Sequence, residues 1–205
     1  MQLFEILLMG IMLGLGAAVP IGPINLEMIR RNLSYSAKTG FLFGLGACSA
    51  DLIYLVLLSL GVLSLLNHPL LLKVMALLGA LILMYFAYGA FTTKTMENQV
   101  TKALSSALPQ HYFSGLLLTM SNPITILFWA SISSQVAALT LTHQYATLYA
   151  GIGVVIGTVG WVIALNLFIH FTKHKISNKA INILNKIGGV LLLGFAGFSI
   201  YYCFQ

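Results

Sequence analysis

Long apolar runs alternate with short polar stretches along this chain, and six runs account for nearly all of it: Leu3 to about Ile29, Gly40 to about Leu66, Leu70 to Phe91, Phe113 to about Leu139, about Tyr145 to Phe171, and Ile187 to Phe204. Each approaches or exceeds the roughly 20 residues a helix needs to cross a hydrocarbon core. The pattern predicts an all-α integral membrane protein of six transmembrane helices. Two runs are interrupted: the first by Pro20 and Pro23 within Ala18-Val-Pro-Ile-Gly-Pro-Ile-Asn-Leu-Glu27, the fourth by Ser121-Asn122-Pro123. Proline lacks an N–H and clashes with the preceding turn, so helices 1 and 4 are expected to break there, the first restarting near Pro23. The third run has no charge beyond Lys73 and ends with Tyr85 and Tyr88, suited to a membrane interface, so it reads as scaffold.

The longest polar stretch, 93–112, is a linker that divides a single 205-residue transmembrane domain into halves of about 1–92 and 113–205. With three spans in each, two halves sharing one fold must insert in opposite orientation, as an inverted repeat. Each half opens on a proline-broken helix followed by a Gly-rich one, Gly44-Leu-Gly46 in the first half and Gly151-Ile-Gly153 in the second. The stripe Gly10-xxx-Gly14-xxx-Ala18 lets a neighbouring helix approach closely, and such stripes would permit a homodimer.

Composition agrees with the pattern. The chain is 59% hydrophobic and 7% charged with a mean hydropathy of +0.96, far from the roughly 45–50% apolar and 25% charged profile of soluble domains. No soluble domain remains, and the bilayer is the first partner implied. The formal charge of +6 then reports topology and implies no nucleic acid. Arg30, Arg31, Lys38, Lys94, Lys102, Lys173, Lys175, Lys179 and Lys186, nine of the ten basic residues, fall after runs one, three and five. The positive-inside rule places them in the cytoplasm and both termini outside. Glu5 and the lack of any Lys or Arg in the first eighteen residues point to a retained first span. Cys48 and Cys203 have no ligand spacing and read as small packing residues, so neither metal nor cofactor is expected.

Candidate chemistry gathers at the breaks. At a rise of about 1.5 Å per residue, Pro23 lies roughly 10 Å inside Arg30, Asn122 roughly 15 Å inside Tyr112, Asn166 roughly 10 Å inside Lys173 and Asp51 roughly 18 Å inside Thr39. These depths converge on one site. Backbone freed by a break is tolerated only when it is buried or lines a wet cavity. The helix restarting at Pro23 aims N–H groups and a positive dipole end at that cavity, an arrangement suited to a carboxylate. Gly22 lets a ligand approach the main chain, and Asn25 and Asn122 either hold the backbone open or bind an ammonium or carboxylate. Asp51, the one acid plainly inside a run, costs roughly 2.5–3.5 kcal/mol to insert. It either pairs with a substrate ammonium or carries an exchanged proton, against the plainer alternative of a helix-to-helix hydrogen bond. Glu27, three and four residues before Arg30 and Arg31, is either an interfacial ion pair or a gate. Trp161 lines the cavity or packs, and packing is the favoured reading.

With Pro20-Ile-Gly-Pro23-Ile-Asn25, the Arg-rich turn into a Gly-rich span with Asp51, and Asn122-Pro123, the chain resembles the LysE/RhtB-type family of amino-acid exporters over essentially its full length. The family pattern often reads Pro-Gly-Pro, whereas Ile21 here separates Pro20 from Gly22. The resemblance implies export of amino acids or related small solutes across a bacterial cytoplasmic membrane by proton-linked secondary transport, with Pro20, Gly22, Pro23, Asn25, Asp51, Asn122 and Pro123 as the site. Basic and neutral amino acids, and metal cations as in outlying relatives, all stay open as substrates. An enzyme or redox carrier would need a clustered Cys pair, a His/acid metal set or a nucleophile with its base. A structural subunit would leave two breaks and a buried acid at similar depth unexplained.

Overall fold

The computed structural model describes residues 3–20, 22–60, 69–92, 108–132, 136, 144–173 and 177–203. Its helices are α1 (Leu3–Ala18), α2 (Pro23–Ser34), α3 (Ala37–Ser59), α4 (Pro69–Thr92), α5 (Leu108–Met120), α6 (Pro123–Ser131), α7 (Ala146–Thr172) and α8 (Asn178–Cys203), and no strand occurs among the described residues. Most of the linker, residues 93–107, lies outside them. The helices α3 and α7, with residues 179–198 of α8, are long and apolar enough to cross a membrane, and the pairs α1–α2 and α5–α6 qualify when each is taken as one bent span. The bends are 73° and 58°. Each follows from proline at the first position of the second helix, with Gly22 and Asn122 as the residues before it.

Several boundaries differ from those the apolar pattern predicts. The first run was expected to stop at Arg30 and Arg31, yet α2 continues through both to Ser34, and both guanidiniums are buried. Glu27 explains this: its Oε2 accepts from Arg30 Nε at 2.7 Å, and its Oε1 accepts from Arg30 Nη2 at 2.7 Å and Arg31 Nε at 2.8 Å. Only Tyr35 and Ser36 then separate α2 from α3, which starts on a reciprocal capping box between Ser36 and Thr39. The last helix begins at Asn178, so Lys179 and Lys186 sit on its exposed face and not in a loop.

Many large apolar side chains are exposed, while the buried polar ones lie inside beside two apolar core clusters. Leu78, Leu81, Val190 and Phe168 are exposed, while Asn25, Glu27, Asp51, Thr119, Asn122 and Asn166 are buried. The hydrophilic α2 has eight of its twelve residues buried, packed among α3, α7 and α8. Hydrocarbon rewards that inversion, because a polar face is sheltered only by other helices.

The most extensive contacts are α1 with α7, α3 with α5, and α4 with α8. Two of these crossings bring backbones together at glycine: Gly10 meets the Ala150 carbonyl and Gly153 the Leu7 carbonyl, while Gly46 meets the Tyr112 carbonyl and Gly115 the Phe43 carbonyl. The Gly10 and Gly14 positions of the first stripe are therefore occupied by α7 of the same chain. A Cβ at Gly46 would collide with backbone that cannot rotate away, whereas one at Gly160 would meet nothing within 4 Å. Gly46→Ala should accordingly cost about 1–3 kcal/mol or more and Gly160→Ala much less, read as thermal unfolding of the detergent-solubilised chain.

Candidate functional site

The break between α1 and α2 frees the carbonyls of Ala18, Val19 and Pro20 from helical partners. Asn25, on the first turn of α2, reaches back across it: its Nδ2 donates to Ala18 O at 2.8 Å and Pro20 O at 2.9 Å, with Val19 O at 3.5 Å. Its Oδ1 accepts from Trp161 Nε1 of α7 at 3.2 Å. The amide is thus used at both ends, and Trp161 is a partner of the break. That corrects the reading in which Trp161 simply packs, since an indole N–H inside an apolar bundle needs an acceptor and Asn25 supplies it.

The second break is held differently. Asn122 caps α6, its Oδ1 accepting from Ile124 N at 3.2 Å while its Nδ2 donates to Thr125 Oγ1 at 3.0 Å. The carbonyl of Met120, last residue of α5, accepts from Tyr54 Oη of α3 at 2.6 Å. Tyr54 stacks on Trp129, their centroids 6.5 Å apart, and Trp129 Nε1 donates to Asp51 Oδ1 at 3.0 Å. One chain of contacts therefore joins Asp51, α6 and the second break.

Between the two breaks lies a cavity of about 130 Å³, walled by α1, α2, α3, α5, α6 and α7. An engineered void of about 150 Å³ holds benzene, so the scale is that of a small solute. Pro20, Gly22, Pro23, Asn25, Asp51, Asn122 and Trp161 line it, and Pro123 is the first residue of α6 at the same break. Met28, Ala47, Phe128 and Val162 give much of the remaining wall an apolar surface.

Two predicted residues lie elsewhere. Asn166 accepts from Asn32 Nδ2 at 2.9 Å through its Oδ1 and donates to Val162 O at 2.8 Å, tying α7 to α2 beside a surface cleft with Lys38 and His170. It shares the depth of the site but points to another side of its helix. Glu27 is fully buried between its arginines, and Arg31 also lies over Phe43 and Phe86 and against His111. This is an interior cluster, more enclosed than an interfacial rim pair, because α2 has protein on most sides.

Other cavity residues escaped the sequence reading. Cys48 lines the wall, although its spacing marked it only as a packing residue. Thr119, three residues before Asn122, is 2% exposed, lines the cavity, and its hydroxyl has no hydrogen-bond partner among the described residues. Its nearness to the second break was the available signal. Among the described residues no three His, Cys, Asp or Glu side chains gather where a metal could be held.

Two bent helix pairs, each apolar enough to cross a membrane as one span, wall one solute-sized cavity, an arrangement found in membrane transporters with discontinuous helices. Residues 15–202 match the family model described as LysE type translocator, and the chain belongs to that family. Among similar proteins, one from Bacillus subtilis (strain 168) that is named for amino acid efflux, YcgF, is 30% identical over 203 residues, 97% of this chain and 96% of that protein. The leucine efflux protein of Salmonella typhimurium is 26% identical over 184 residues, 85% of each chain. The uncharacterized membrane protein YahN of Escherichia coli (strain K12) is 27% identical over 142 residues, 68% of this chain and 63% of that one. No solved structure matches. The protein is a multi-pass membrane transporter and not an enzyme.

Two substitutions separate the roles inside α2. Asn25→Leu keeps the branched skeleton but has no donor, and leaves the Ala18 and Pro20 carbonyls unpaired, at about 1–3 kcal/mol for each buried group. Glu27→Gln strands two buried guanidiniums, a change expected to cost about 3–5 kcal/mol. Thermal unfolding in detergent should show both losses, with Glu27→Gln the larger.

Proposed function

We propose that the protein exports amino acids or closely related small solutes across a bacterial cytoplasmic membrane, binding them in the cavity between its two broken spans. The observation that carries this reading is that both breaks and Asp51 share one cavity wall, in a chain similar to proteins named for amino acid efflux and leucine efflux. Pro20, Gly22, Pro23, Asn25, Asp51, Asn122 and Pro123 form the binding and coupling site, and leucine is among the first solutes to test.

Transport is secondary and proton-coupled, with Asp51 binding the substrate ammonium or carrying the exchanged proton. Its Oδ1 is already engaged by Trp129, so a change of charge on Asp51 would be felt directly by α6. Alternating access follows from two inverted halves rocking about the cavity. The helix pairings favour this: exchanging the first three spans for the last three turns the α1–α7 contact into the α5–α3 contact and leaves α4–α8 unchanged. Both termini face away from the cytoplasm in this reading, which the positive-inside count supports.

Efflux from cells preloaded by dipeptide feeding tests the reading across a panel of amino acids. Cells expressing the intact protein should release at least one faster than control cells, and Asp51→Asn should abolish that release while folded protein remains in the membrane. Release of none faster than control overturns amino-acid export; undiminished release by Asp51→Asn removes Asp51 from the mechanism.

A further inference from the structure

The two half-helices that start at the cavity are finished in different ways. Both α2 and α6 open on proline, which has no N–H, so the next two residues present the first-turn N–H groups that lack helical acceptors. In α6 one of these two N–H groups is taken, because the Asn122 side chain caps Ile124 N. In α2 no side chain caps the end. Its N-cap is Gly22, and the polar side chain on its first turn, Asn25, is turned back to the carbonyls of the break.

Neither space nor backbone conformation demands glycine at that position. Gly22 has φ −143° and ψ −168°, extended values that any residue adopts, and an added Cβ would meet nothing within 4 Å. Serine or asparagine would fit, and would close the helix end as Asn122 closes the other. What glycine preserves is an uncapped, partially positive helix end on the cavity wall. A second and independent feature points to a ligand there: Thr119, buried in the same wall, has a hydroxyl with no partner among the described residues. With Asp51 also on that wall, the cavity has one positive and one negative pole, and an apolar surface between.

We propose that the uncapped start of α2 is the seat for the substrate carboxylate. The N–H groups of Ile24 and Asn25 donate to it, the Thr119 hydroxyl bonds the bound solute, and the ammonium faces Asp51. Gly22 keeps the seat free of an acceptor from the protein itself. The solute class that fits is a small zwitterion with an apolar side chain. This inference rests on the transport reading above.

The test uses the full chain in detergent, with thermal unfolding in L-leucine, L-leucinamide and isoamylamine, alongside leucine efflux from cells. L-leucine should raise the Tm of the intact protein, and the two analogues lacking a carboxylate should not. Gly22→Asn, which supplies its own cap, should keep or raise the unliganded Tm, lose the shift with leucine, and raise the half-saturating leucine concentration roughly tenfold or more, as expected for a lost hydrogen bond to a charged group. Gly22→Ala, which adds bulk but no acceptor, should lose less. Thr119→Val should leave the unliganded Tm intact while reducing the leucine shift.

The carboxylate seat is overturned if leucinamide stabilises as well as leucine, if leucine has no effect on a protein that exports other amino acids, or if Gly22→Asn exports leucine at the unaltered half-saturation. Should Gly22→Asn fail to fold, the analogue series on the intact protein and Thr119→Val decide the matter. Export of no amino acid by the intact protein overturns the transport reading instead; a leucine shift that persists there and is lost in Gly22→Asn upholds the seat as a binding site.

Discussion

A backbone cannot be interrupted inside hydrocarbon unless every freed polar group finds a partner from the protein or from a wet cavity. Here the first break is held by a single side chain: Asn25 gathers the carbonyls of Ala18 and Pro20 and is itself oriented by Trp161. The bend between α1 and α2 therefore depends on α7 as well as on proline. The second break is met by Asn122 and by Tyr54 from α3. Each interruption thus takes support from a helix outside its own span, and the cavity lies between those supports.

That division of labour separates rigidity from availability. Asn25, Asn122 and the Glu27–Arg30–Arg31 cluster are engaged in the protein's own hydrogen bonds, and those bonds hold the shape of the walls between which the proposed site lies. The cavity wall also carries the uncapped start of α2, the Thr119 hydroxyl and the carboxyl of Asp51, the groups to which the proposed carboxylate seat assigns the solute. Close glycine crossings on either side, α1 against α7 and α3 against α5, set that wall between two tightly packed helix pairs.

Much of this could be read from residue order. The prolines at 20, 23 and 123 located the breaks, since the missing N–H acts locally whatever surrounds it. The lone Asp51 stood out because charge inside an apolar run is costly. Depth counting was less reliable: it grouped Asn166 with the cavity, although the side chain bonds Asn32 and lines a different cleft. Distance along a helix measures height but not the direction a side chain faces once helices are packed. For the same reason Trp161 read as packing and Thr119 was not singled out.

By itself the sequence determined an all-helical membrane protein, the places where two helices must break, and the residue types available there, because hydropathy and proline sterics are properties of short segments. Only the tertiary structure decided that α2 continues through Arg30 and Arg31, that the Gly10 stripe serves α7 in the same chain, and that one half-helix is capped while the other is open. Those outcomes depend on which groups meet across helices far apart in the chain. An arginine, a glycine or an asparagine has the same local propensity whether its partner is present or absent, so spacing alone could not distinguish a side chain that supports the break from one left for a ligand.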